Sequence, residues 1–254
     1  MLLVLDIGNT NIKIGLFEDQ KLLHSWRVAV DHKRTADEYG VQLGMFFNHL
    51  NLNMKDVRGI ITSSVVPSFN YTIEHMYAIY FPDVAPIMVH AGLKTGMTWG
   101  YEQPQRLGSD RICNAVAAGN LYGGDCITVD FGTATTFNVQ SGSLFLGGMI
   151  CPGFKVSTTA LLEKTAMLPK VEYVKPSRVI GTSTELCLQS GILYGYVGLV
   201  EYMVRKARQE LGVNAKVIGT GGMGDLIASE TDCIDTLNPT LTLQGLAMLY
   251  EMNR

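Results

Sequence analysis

The sequence predicts an α/β protein built from two similar halves, because one strand–turn–strand pattern occurs twice along the chain. The first copy has apolar runs at 2–5 and 12–17, joined by a bend at 6–11. The second copy has its strands at 126–129 and 136–139, with the bend at 130–135. Each bend reads Asp-x-Gly-polar-small-polar, so the repeat predicts two similar domains in one chain.

Both bends have the features that phosphate binding requires. Glycine lets the backbone approach a ligand closely, and exposed amides with Thr or Asn side chains can bond phosphate oxygens. The Asp can hold a hydrated magnesium ion, which prefers oxygen ligands. A single such bend also fits an ordinary hairpin, whereas two copies favour a pair of domains facing each other across a nucleotide. No GxxxxGK[ST] segment occurs, so any phosphate binding would depend on these hairpins.

Composition excludes several classes of protein. A chain of 254 residues fits one large domain or two small ones, and its net charge of −3 does not favour binding to nucleic acid or to an anionic membrane. The five cysteines are scattered and match no metal-binding spacing. The short apolar N-terminus meets Asp6 at once, which is typical of a strand rather than a signal peptide. We therefore expect a cytoplasmic protein that binds neither membrane nor nucleic acid.

The first half predicts the order β-β-β-α-β-α-β. The third strand is expected at 21–28, and the first helix carries its apolar residues on one face at helical spacing. These residues are Tyr39, Leu43, Phe46, Phe47 and Leu50. The later elements are strands at 57–66 and 84–89 and a helix at 73–80. The Gly-rich and polar segment 91–107 predicts a loop that separates the halves.

The second half repeats the hairpin and then becomes more helical. We place the domain boundary between 115 and 116, which gives domains 1–115 and 116–254. The predicted elements after the second hairpin are strands at 143–150 and 216–219 and helices at 158–167, 184–211 and 241–252. Gly191, Gly195 and Gly198 lie on one side of the longest helix, which favours close packing within the protein or across a homodimer.

The segment Gly219 to Gly224 formally matches the GxGxxG pattern of dinucleotide-binding proteins. That class of site needs an acidic residue about 20 positions later and further βα units. Asp235 comes too early for this role. Two interpretations remain: a Gly-rich turn against which the adenine or ribose of a nucleotide lies, or a simple strand-to-helix turn.

The segment Gly108-Ser109-Asp110-Arg111 precedes a predicted helix, which Ser109 or Asp110 can cap. In one interpretation Asp110 is a favourable charge at a helix start and Arg111 is solvated. In the other, Asp110 takes a proton from a substrate hydroxyl and Arg111 grips a substrate carboxylate. Lys13 similarly fits either a phosphate contact or an ordinary surface lysine.

The order of these motifs closely resembles that of type III pantothenate kinases, over essentially the whole chain. The resemblance includes the segments 147–153 and 189–196 besides the hairpins, the GSDR loop and the Gly-rich turn. Asp-x-Gly-x-Thr hairpins occur throughout the actin, Hsp70 and sugar-kinase superfamily, but the combination is specific. The resemblance implies two ribonuclease-H-like (actin-like ATPase) domains, each a mixed sheet flanked by helices, with ATP between them, in a homodimer.

The activity that the resemblance implies is phosphorylation of pantothenate by ATP to 4′-phosphopantothenate, which leads to coenzyme A. It implies that Mg²⁺ binds near Asp6 and that a monovalent cation, K⁺ or NH₄⁺, binds Asp130, with Asp110 as the general base. The implied ATP contacts are Asp6, Ile7, Gly8, Asn9, Thr10, Asn11, Ile12, Lys13 and Thr133. The implied pantothenate contacts are Tyr101, Gly108, Ser109, Asp110, Arg111 and Thr184, the last in the same chain or across the dimer. Ser109 stands where the family often has Ala.

Other interpretations remain open. The symmetry of the two hairpins would place Asp130 on the divalent ion rather than on potassium. The chain would also fit a superfamily kinase that acts on a sugar or on acetate. A non-enzymatic regulator is disfavoured because no basic helix or stripe is present. A nucleotide-driven module like Hsp70 would need a peptide-binding domain, which nothing in the sequence resembles.

Overall fold

The computed structural model describes all 254 residues, and they form two compact units. The first unit contains 1–96, 102–117 and 241–254, and the second contains 97–101 and 118–240. The predicted domains 1–115 and 116–254 differ from these units at three places, the smallest being residues 116–117, which group with the first unit. Residues 97–101 group with the second unit, and the C-terminal segment 241–254 groups with the first.

Eleven strands form two mixed sheets, one of five strands and one of six. The strands are β1 Leu2–Ile7, β2 Asn11–Glu18, β3 Lys21–Ala29, β4 Gly59–Ser64, β5 Pro86–Met88, β6 Thr98–Trp99, β7 Asp125–Phe131, β8 Ala134–Ser141, β9 Leu144–Pro152, β10 Lys216–Gly221 and β11 Thr236–Leu237. Their spatial orders are β3-β2-β1-β4-β5 and β11-β10-β7-β8-β9-β6. In each unit the first strand of the hairpin pairs antiparallel with the second and parallel with a strand on its other side. These parallel partners are β4 beside β1 and β10 beside β7.

Seven α-helices accompany the sheets. They are α1 Ala36–His49, α2 Pro67–Tyr80, α3 Ser109–Tyr122, α4 Phe154–Glu163, α5 Thr184–Leu211, α6 Gly224–Ala228 and α7 Leu241–Asn253. None of them is both long and apolar enough to cross a membrane. The α/β class, with two mixed sheets and flanking helices, is therefore as the sequence predicts.

Local chemistry explains where several helices begin and end. Helix α1 starts with a capping box, in which Thr35 and Glu38 each bond the backbone of the other. Helix α5 has the predicted bounds because Ser183 accepts a hydrogen bond from the Leu186 N–H and Gly212 ends the helix at φ 70°. Glycine adopts that left-handed conformation without steric cost.

Each unit has its own apolar core. In the first unit, Leu3 and Leu5 of β1 pack with Tyr39, Leu43 and Phe47 of α1, which confirms the predicted apolar face of that helix. In the second unit, β7 and β10 pack against α5 through residues such as Val129, Val217 and Val200. The hairpin strands thus contribute residues to both cores, and the polar bends follow directly from buried strands.

Three predictions of local structure need correction. The predicted loop 91–107 contains β6, which pairs with β9, and a 3₁₀ turn at Pro104–Arg106. Helix α2 begins at Pro67, six positions before the predicted start, because proline fits the first helical position, where its missing N–H costs nothing. Helix α4 spans Phe154–Glu163 rather than 158–167, with Gly153 as its N-cap and Phe154 buried in the core.

Candidate active site

Asp6 lies at the carboxyl end of β1, between two neighbouring strands of the first unit. Lys13 faces it across the hairpin and Ser63 faces it on the parallel strand β4. The carboxylate is buried, with the residue 7 % exposed. Its Oδ2 lies 3.5 Å from the Lys13 Nζ, and its Oδ1 accepts a hydrogen bond of 3.1 Å from the Ser63 hydroxyl. Both carboxylate oxygens therefore have defined polar neighbours.

Ser63 connects this carboxylate to the start of α3. Its Oγ lies 3.0 Å from the Ser109 Oγ, and the Ser109 hydroxyl also donates a 3.0 Å hydrogen bond to the Ser64 carbonyl. All of these groups belong to the first unit. The hairpin carboxylate and the GSDR loop, which are about one hundred residues apart in sequence, thus meet through one buried serine.

Asp110 lies in the first turn of α3 and is half-buried. Its Oδ1 accepts a 2.8 Å hydrogen bond from the Arg111 backbone N–H. The carboxylate lies directly over Gly108, where an added Cβ would be 2.5 Å from Oδ1. A side chain at 108 would therefore force the Asp110 carboxylate to move from this position.

Arg111 is only 6 % exposed. The interpretation in which it is a solvated surface residue is therefore wrong, whereas Asp110 does lie at a helix start, where the positive end of the helix dipole favours a carboxylate. A buried guanidinium is costly unless it meets charged or polar groups. The burial of Arg111 therefore indicates that its guanidinium has polar or charged partners within the protein.

The thiol of Cys113 is buried and lies within the electrostatic influence of Asp6 and Asp110. Burial raises its pKa well above the usual value, and the negative charges of Asp6 and Asp110 raise that pKa further. A hydrogen bond between this thiol and Ser63 lowers the pKa and so acts in the opposite direction. Because the thiol is fully buried and stays protonated, it contributes packing and no nucleophile.

The tip of the first bend is open to solvent at Asn9 and Thr10. It is closed by a 3.0 Å hydrogen bond from the Gly8 N–H to the Asn11 carbonyl. Ile7 and Ile12, by contrast, are 0 and 1 % exposed, so their side chains belong to the core. Of the predicted ATP contacts in this segment, Ile7 and Ile12 thus have side chains that do not face a ligand.

Asp130 occupies the corresponding position in the second unit. Thr136 faces it across the hairpin, where the first hairpin has Lys13, and Thr220 of β10 faces it on the parallel side. Thr220 is 1 % exposed, and its buried hydroxyl has no hydrogen-bond partner. Gly221, at φ 94°, borders Asp130, because an added Cβ there would lie 2.6 Å from the carboxylate Oδ1.

The remaining predicted site residues also lie in the second unit. Thr133 is at the bend of the hairpin, and its carbonyl accepts a 3.1 Å hydrogen bond from the Gly153 N–H. Tyr101 packs its ring edge-on to Phe145, with the centroids 6.2 Å apart. Thr184 is exposed in the first turn of α5. The structure therefore brings together Asp6, Lys13 and the GSDR loop in one unit and places Asp130, Thr133, Tyr101 and Thr184 in the other.

The Gly-rich segment after β10 leads into α6, which has only five residues, and then into β11. A five-residue helix followed by an edge strand is not the βα unit of a dinucleotide-binding fold. Gly219 is required for packing, since an added Cβ would be 2.7 Å from the Leu237 side chain. Packing thus explains the glycine at 219, and Gly221 borders Asp130.

A model of the type III pantothenate kinase family matches residues 2–206. That range contains both hairpins, the GSDR loop and most of α5. The chain belongs to the type III pantothenate kinase family. Family membership makes it a kinase, a class of enzyme that takes its phosphoryl group from ATP.

Solved structures similar to this type III pantothenate kinase family member confirm the fold. A protein described as a Baf family transcriptional activator from Campylobacter jejuni has a TM-score of 0.60 at 20 % identity, over 98 % of this chain and 97 % of that one. A protein described as a 2-dehydro-3-deoxygalactonokinase from Sinorhizobium meliloti has a TM-score of 0.57 at 12 % identity, over 98 % and 95 %. The activator of 2-hydroxyisocaproyl-CoA dehydratase from Clostridium difficile, solved with ADPNP, has 0.54 at 12 %, over 98 % and 93 %. At these identities the likeness shows the actin-like kinase and ATPase fold alone.

Sequence analysis missed Ser63 and Cys113 as members of the polar cluster. Both belong to apolar or weakly polar runs, at 59–64 and 112–118, which read as ordinary core segments. The available signal was the end of β4, where Thr62, Ser63 and Ser64 follow a buried apolar run. Polar residues at the carboxyl end of a parallel strand lie where α/β sheets bind their ligands.

Proposed function

We propose that this member of the type III pantothenate kinase family transfers the γ-phosphoryl group of ATP to the primary hydroxyl of pantothenate. The product would be 4′-phosphopantothenate, the first intermediate on the route to coenzyme A. The observation that carries the proposal is the family match over residues 2–206, which includes the buried cluster joining Asp6 to the GSDR loop. The cluster supplies what phosphoryl transfer asks of a protein, namely positioned carboxylates and cations.

Asp110 is the proposed general base. It is half-buried and lies in the first turn of α3, where the positive end of the helix dipole favours its ionised form. A carboxylate held in this way can accept the proton of the pantothenate hydroxyl as the oxygen attacks phosphorus. General-base assistance of this kind typically contributes about 10²–10⁴-fold in rate.

Asp6 is the proposed residue for Mg²⁺. Its carboxylate fits a hard divalent cation, because it is ionised beside Lys13 and Ser63 fixes one of its oxygens. When bound, the ion would neutralise phosphate charge and orient the triphosphate. Lys13, with a side chain 20 % exposed, would contribute its own charge to a phosphate oxygen at the same end of the hairpin.

Asp130 is the proposed residue for a monovalent cation, K⁺ or NH₄⁺. Two features of the second unit support this assignment over a second divalent site. The buried Thr220 hydroxyl beside Asp130 has no protein partner, and Gly221 leaves the space next to the carboxylate free of a side chain. Neutral oxygens around a single carboxylate suit a weakly hydrated monovalent ion.

Pantothenate is proposed to contact Gly108, Ser109, Asp110 and Arg111, with Tyr101 and Thr184 as further contacts. Arg111 would offer its planar fork to the pantothenate carboxylate, which a guanidinium can bind through two parallel hydrogen bonds. We also propose that the protein acts in the cytoplasm as a homodimer. The glycine face of α5 supports close approach of another helix, since a Cβ added at Gly191, Gly195 or Gly198 would meet no atom within 4 Å.

A panel of phosphoryl acceptors tests the proposed substrate. Purified protein is incubated with ATP, Mg²⁺ and K⁺ and with pantothenate, an N-acetylated amino sugar, a 2-keto-3-deoxy sugar acid or acetate, and the products are identified by mass spectrometry. We expect a phosphorylated product with pantothenate alone. A phosphorylated sugar or acetyl phosphate in place of phosphopantothenate would contradict the assignment.

A further inference from the structure

Ser63 occupies a position between two groups with different proposed tasks. It is fully buried, and its hydroxyl lies within 3.1 Å of the Asp6 carboxylate and 3.0 Å of the Ser109 hydroxyl. Ser109 is the first residue of α3, and Asp110 follows it. Ser63 is therefore the single side chain that links Asp6 to the start of the helix that carries the proposed base.

The hydroxyl protons of this cluster are too few for its contacts. Three short contacts join Asp6, Ser63, Ser109 and the Ser64 carbonyl, and the two serine hydroxyls supply only two protons for them. The protonated Cys113 thiol, which also bonds Ser63, has its own proton to donate and takes neither of these two. The ionised carboxylate can only accept, so it takes the Ser63 proton. The Ser109 proton is then shared between two acceptors, the Ser63 Oγ and the Ser64 carbonyl.

The choice between these acceptors depends on Asp6. When Ser109 donates to Ser63, the two hydroxyls form a chain directed at the carboxylate, and successive hydrogen bonds in a buried chain strengthen one another. A cation at Asp6 would draw charge from the carboxylate, and the Ser64 carbonyl would then be the better acceptor for the Ser109 hydroxyl. The orientation of that hydroxyl would depend on whether the cation is bound.

The equivalent position in the second unit lacks this connection. Thr220 has the same register relation to Asp130 that Ser63 has to Asp6, yet its buried hydroxyl has no hydrogen-bond partner. A hydroxyl at this strand position therefore does not bond the carboxylate automatically. The bond from Ser63 to Asp6 is a specific feature of the first unit.

We propose that Ser63 is a positioning residue that orients the Asp6 carboxylate for its cation and couples it, through Ser109, to the first turn of α3. This inference rests on the proposed function, because it assigns Asp6 to Mg²⁺. Ser63 is 0 % exposed, so its role is to position Asp6 and not to bind a substrate directly. It acts by holding the Asp6 Oδ1, which leaves Oδ2 directed toward Lys13.

The test measures nucleotide binding instead of turnover. Binding of a non-hydrolysable ATP analogue is followed by calorimetry over a range of Mg²⁺ concentrations, without pantothenate. Replacing a residue that orients a metal ligand typically weakens metal affinity by about 10–100-fold. We expect Ser63→Ala to raise the Mg²⁺ concentration for half-maximal binding by about tenfold, and Ser63→Thr, which keeps the hydroxyl, to restore most of the loss.

A double-mutant cycle tests the coupling. Since Ser109 reaches Asp6 only through Ser63 in this scheme, Ser109→Ala should raise the Mg²⁺ requirement in the wild-type background and leave it unchanged in the Ser63→Ala background. Thr62→Val is the matched control, because Thr62 is equally buried on β4 and its hydroxyl bonds Tyr77. It should lower stability without changing the Mg²⁺ requirement.

Two results would overturn the inference. One is a Ser63→Ala variant with the Mg²⁺ requirement of the wild type. The other is an effect of Ser109→Ala that persists in full without Ser63. If the wild-type protein itself shows no Mg²⁺-dependent binding of the analogue, the assignment of Asp6 within the proposed function is wrong and the inference is wrong with it. Normal binding by the wild type with an unaffected Ser63→Ala variant contradicts the role of Ser63 alone.

Discussion

Asp6 and Ser63 are opposite each other on adjacent parallel strands, and the Ser63 hydroxyl donates a 3.1 Å hydrogen bond to the Asp6 Oδ1. In the second unit the same backbone relation joins Asp130 and Thr220, but the Thr220 hydroxyl has no partner. The two halves of the chain therefore share the strand pairing beside the aspartate but differ in whether the neighbouring hydroxyl has a hydrogen-bond partner. This difference supports different ions at the two carboxylates.

Asp110→Asn should reduce turnover by at least about 10²-fold, because asparagine keeps the shape of the side chain but cannot accept the substrate proton. Binding of the ATP analogue should be retained. Steady-state kinetics and calorimetry on the same preparation measure the two quantities.

The control for this variant is Asp37→Asn. Asp37 is an acid in the first turn of α1, and its replacement removes the same favourable charge from a helix start. Turnover should stay close to that of the wild type. If Asp110→Asn were equally active, Asp110 would not be the base.

Gly108→Ala should impair turnover through Asp110. The added methyl would lie 2.5 Å from the Asp110 Oδ1, so the carboxylate must move away from its position over the loop. We expect the rate constant of turnover to fall by roughly tenfold or more, given how steeply catalysis depends on the placement of reacting groups.

Gly44→Ala in α1 is the comparison for Gly108→Ala, because its new methyl would make only an ordinary 3.4 Å contact with the Met54 sulfur. That variant should keep full activity and gain stability, since alanine is favoured over glycine in a helix. Unchanged kinetics in Gly108→Ala would show that the carboxylate does not need its observed position.

Tyr77→Phe should change how stability depends on pH. Burial raises the pKa of Tyr77, although a hydrogen bond to Thr62 acts in the opposite direction. A phenol with a raised pKa in the folded protein holds its proton more tightly than in the unfolded chain. Its contribution to stability is therefore present below the unfolded pKa of about 10 and is lost as the pH rises above it.

Wild-type stability should consequently fall more steeply above about pH 10 than that of Tyr77→Phe. At neutral pH the variant should be less stable by about 1–3 kcal/mol, because the buried Thr62 hydroxyl loses its partner. Urea unfolding at a series of pH values measures both effects.

Tyr71→Phe, at an exposed tyrosine, is the control and should change the neutral-pH free energy of unfolding by less than about 0.5 kcal/mol. If the free energies of unfolding of wild type and Tyr77→Phe changed equally with pH, the raised pKa of Tyr77 in the folded protein would be refuted.

Replacement of K⁺ by Na⁺ should slow the reaction of the wild type, and Asp130→Asn should remove most of this difference. The neutral amide no longer compensates the charge of a monovalent ion. Asp125→Asn, at the other end of β7, is the matched control and should leave the response to K⁺ intact. A wild-type rate that is equal in both salts would leave Asp130 with a structural role only.

Much of the fold follows from local sequence signals. Helix α5 has its predicted bounds because a serine cap and a left-handed glycine specify its ends within the chain itself. Both hairpins are likewise visible, since their strands and bend are contiguous. Helix α7 also forms where the sequence predicts it, almost to the residue.

What the sequence does not reveal depends on contacts between distant residues. Strand β6 has only two residues and exists because it pairs with β9, some 46 positions away by register. The assignment of α7 to the first unit depends on packing such as that of Gly245 against the Cys113 backbone. Ser63 joins the site only because β4 pairs in parallel with β1, a relation that no local pattern specifies.

The release of ADP in the presence and absence of pantothenate tests the central claim most directly. With ATP, Mg²⁺ and K⁺ present, we expect ADP to form at an appreciable rate only after pantothenate is added, with one 4′-phosphopantothenate for each ADP. ADP release that is independent of pantothenate, or no ADP release with pantothenate present, would contradict the proposed function.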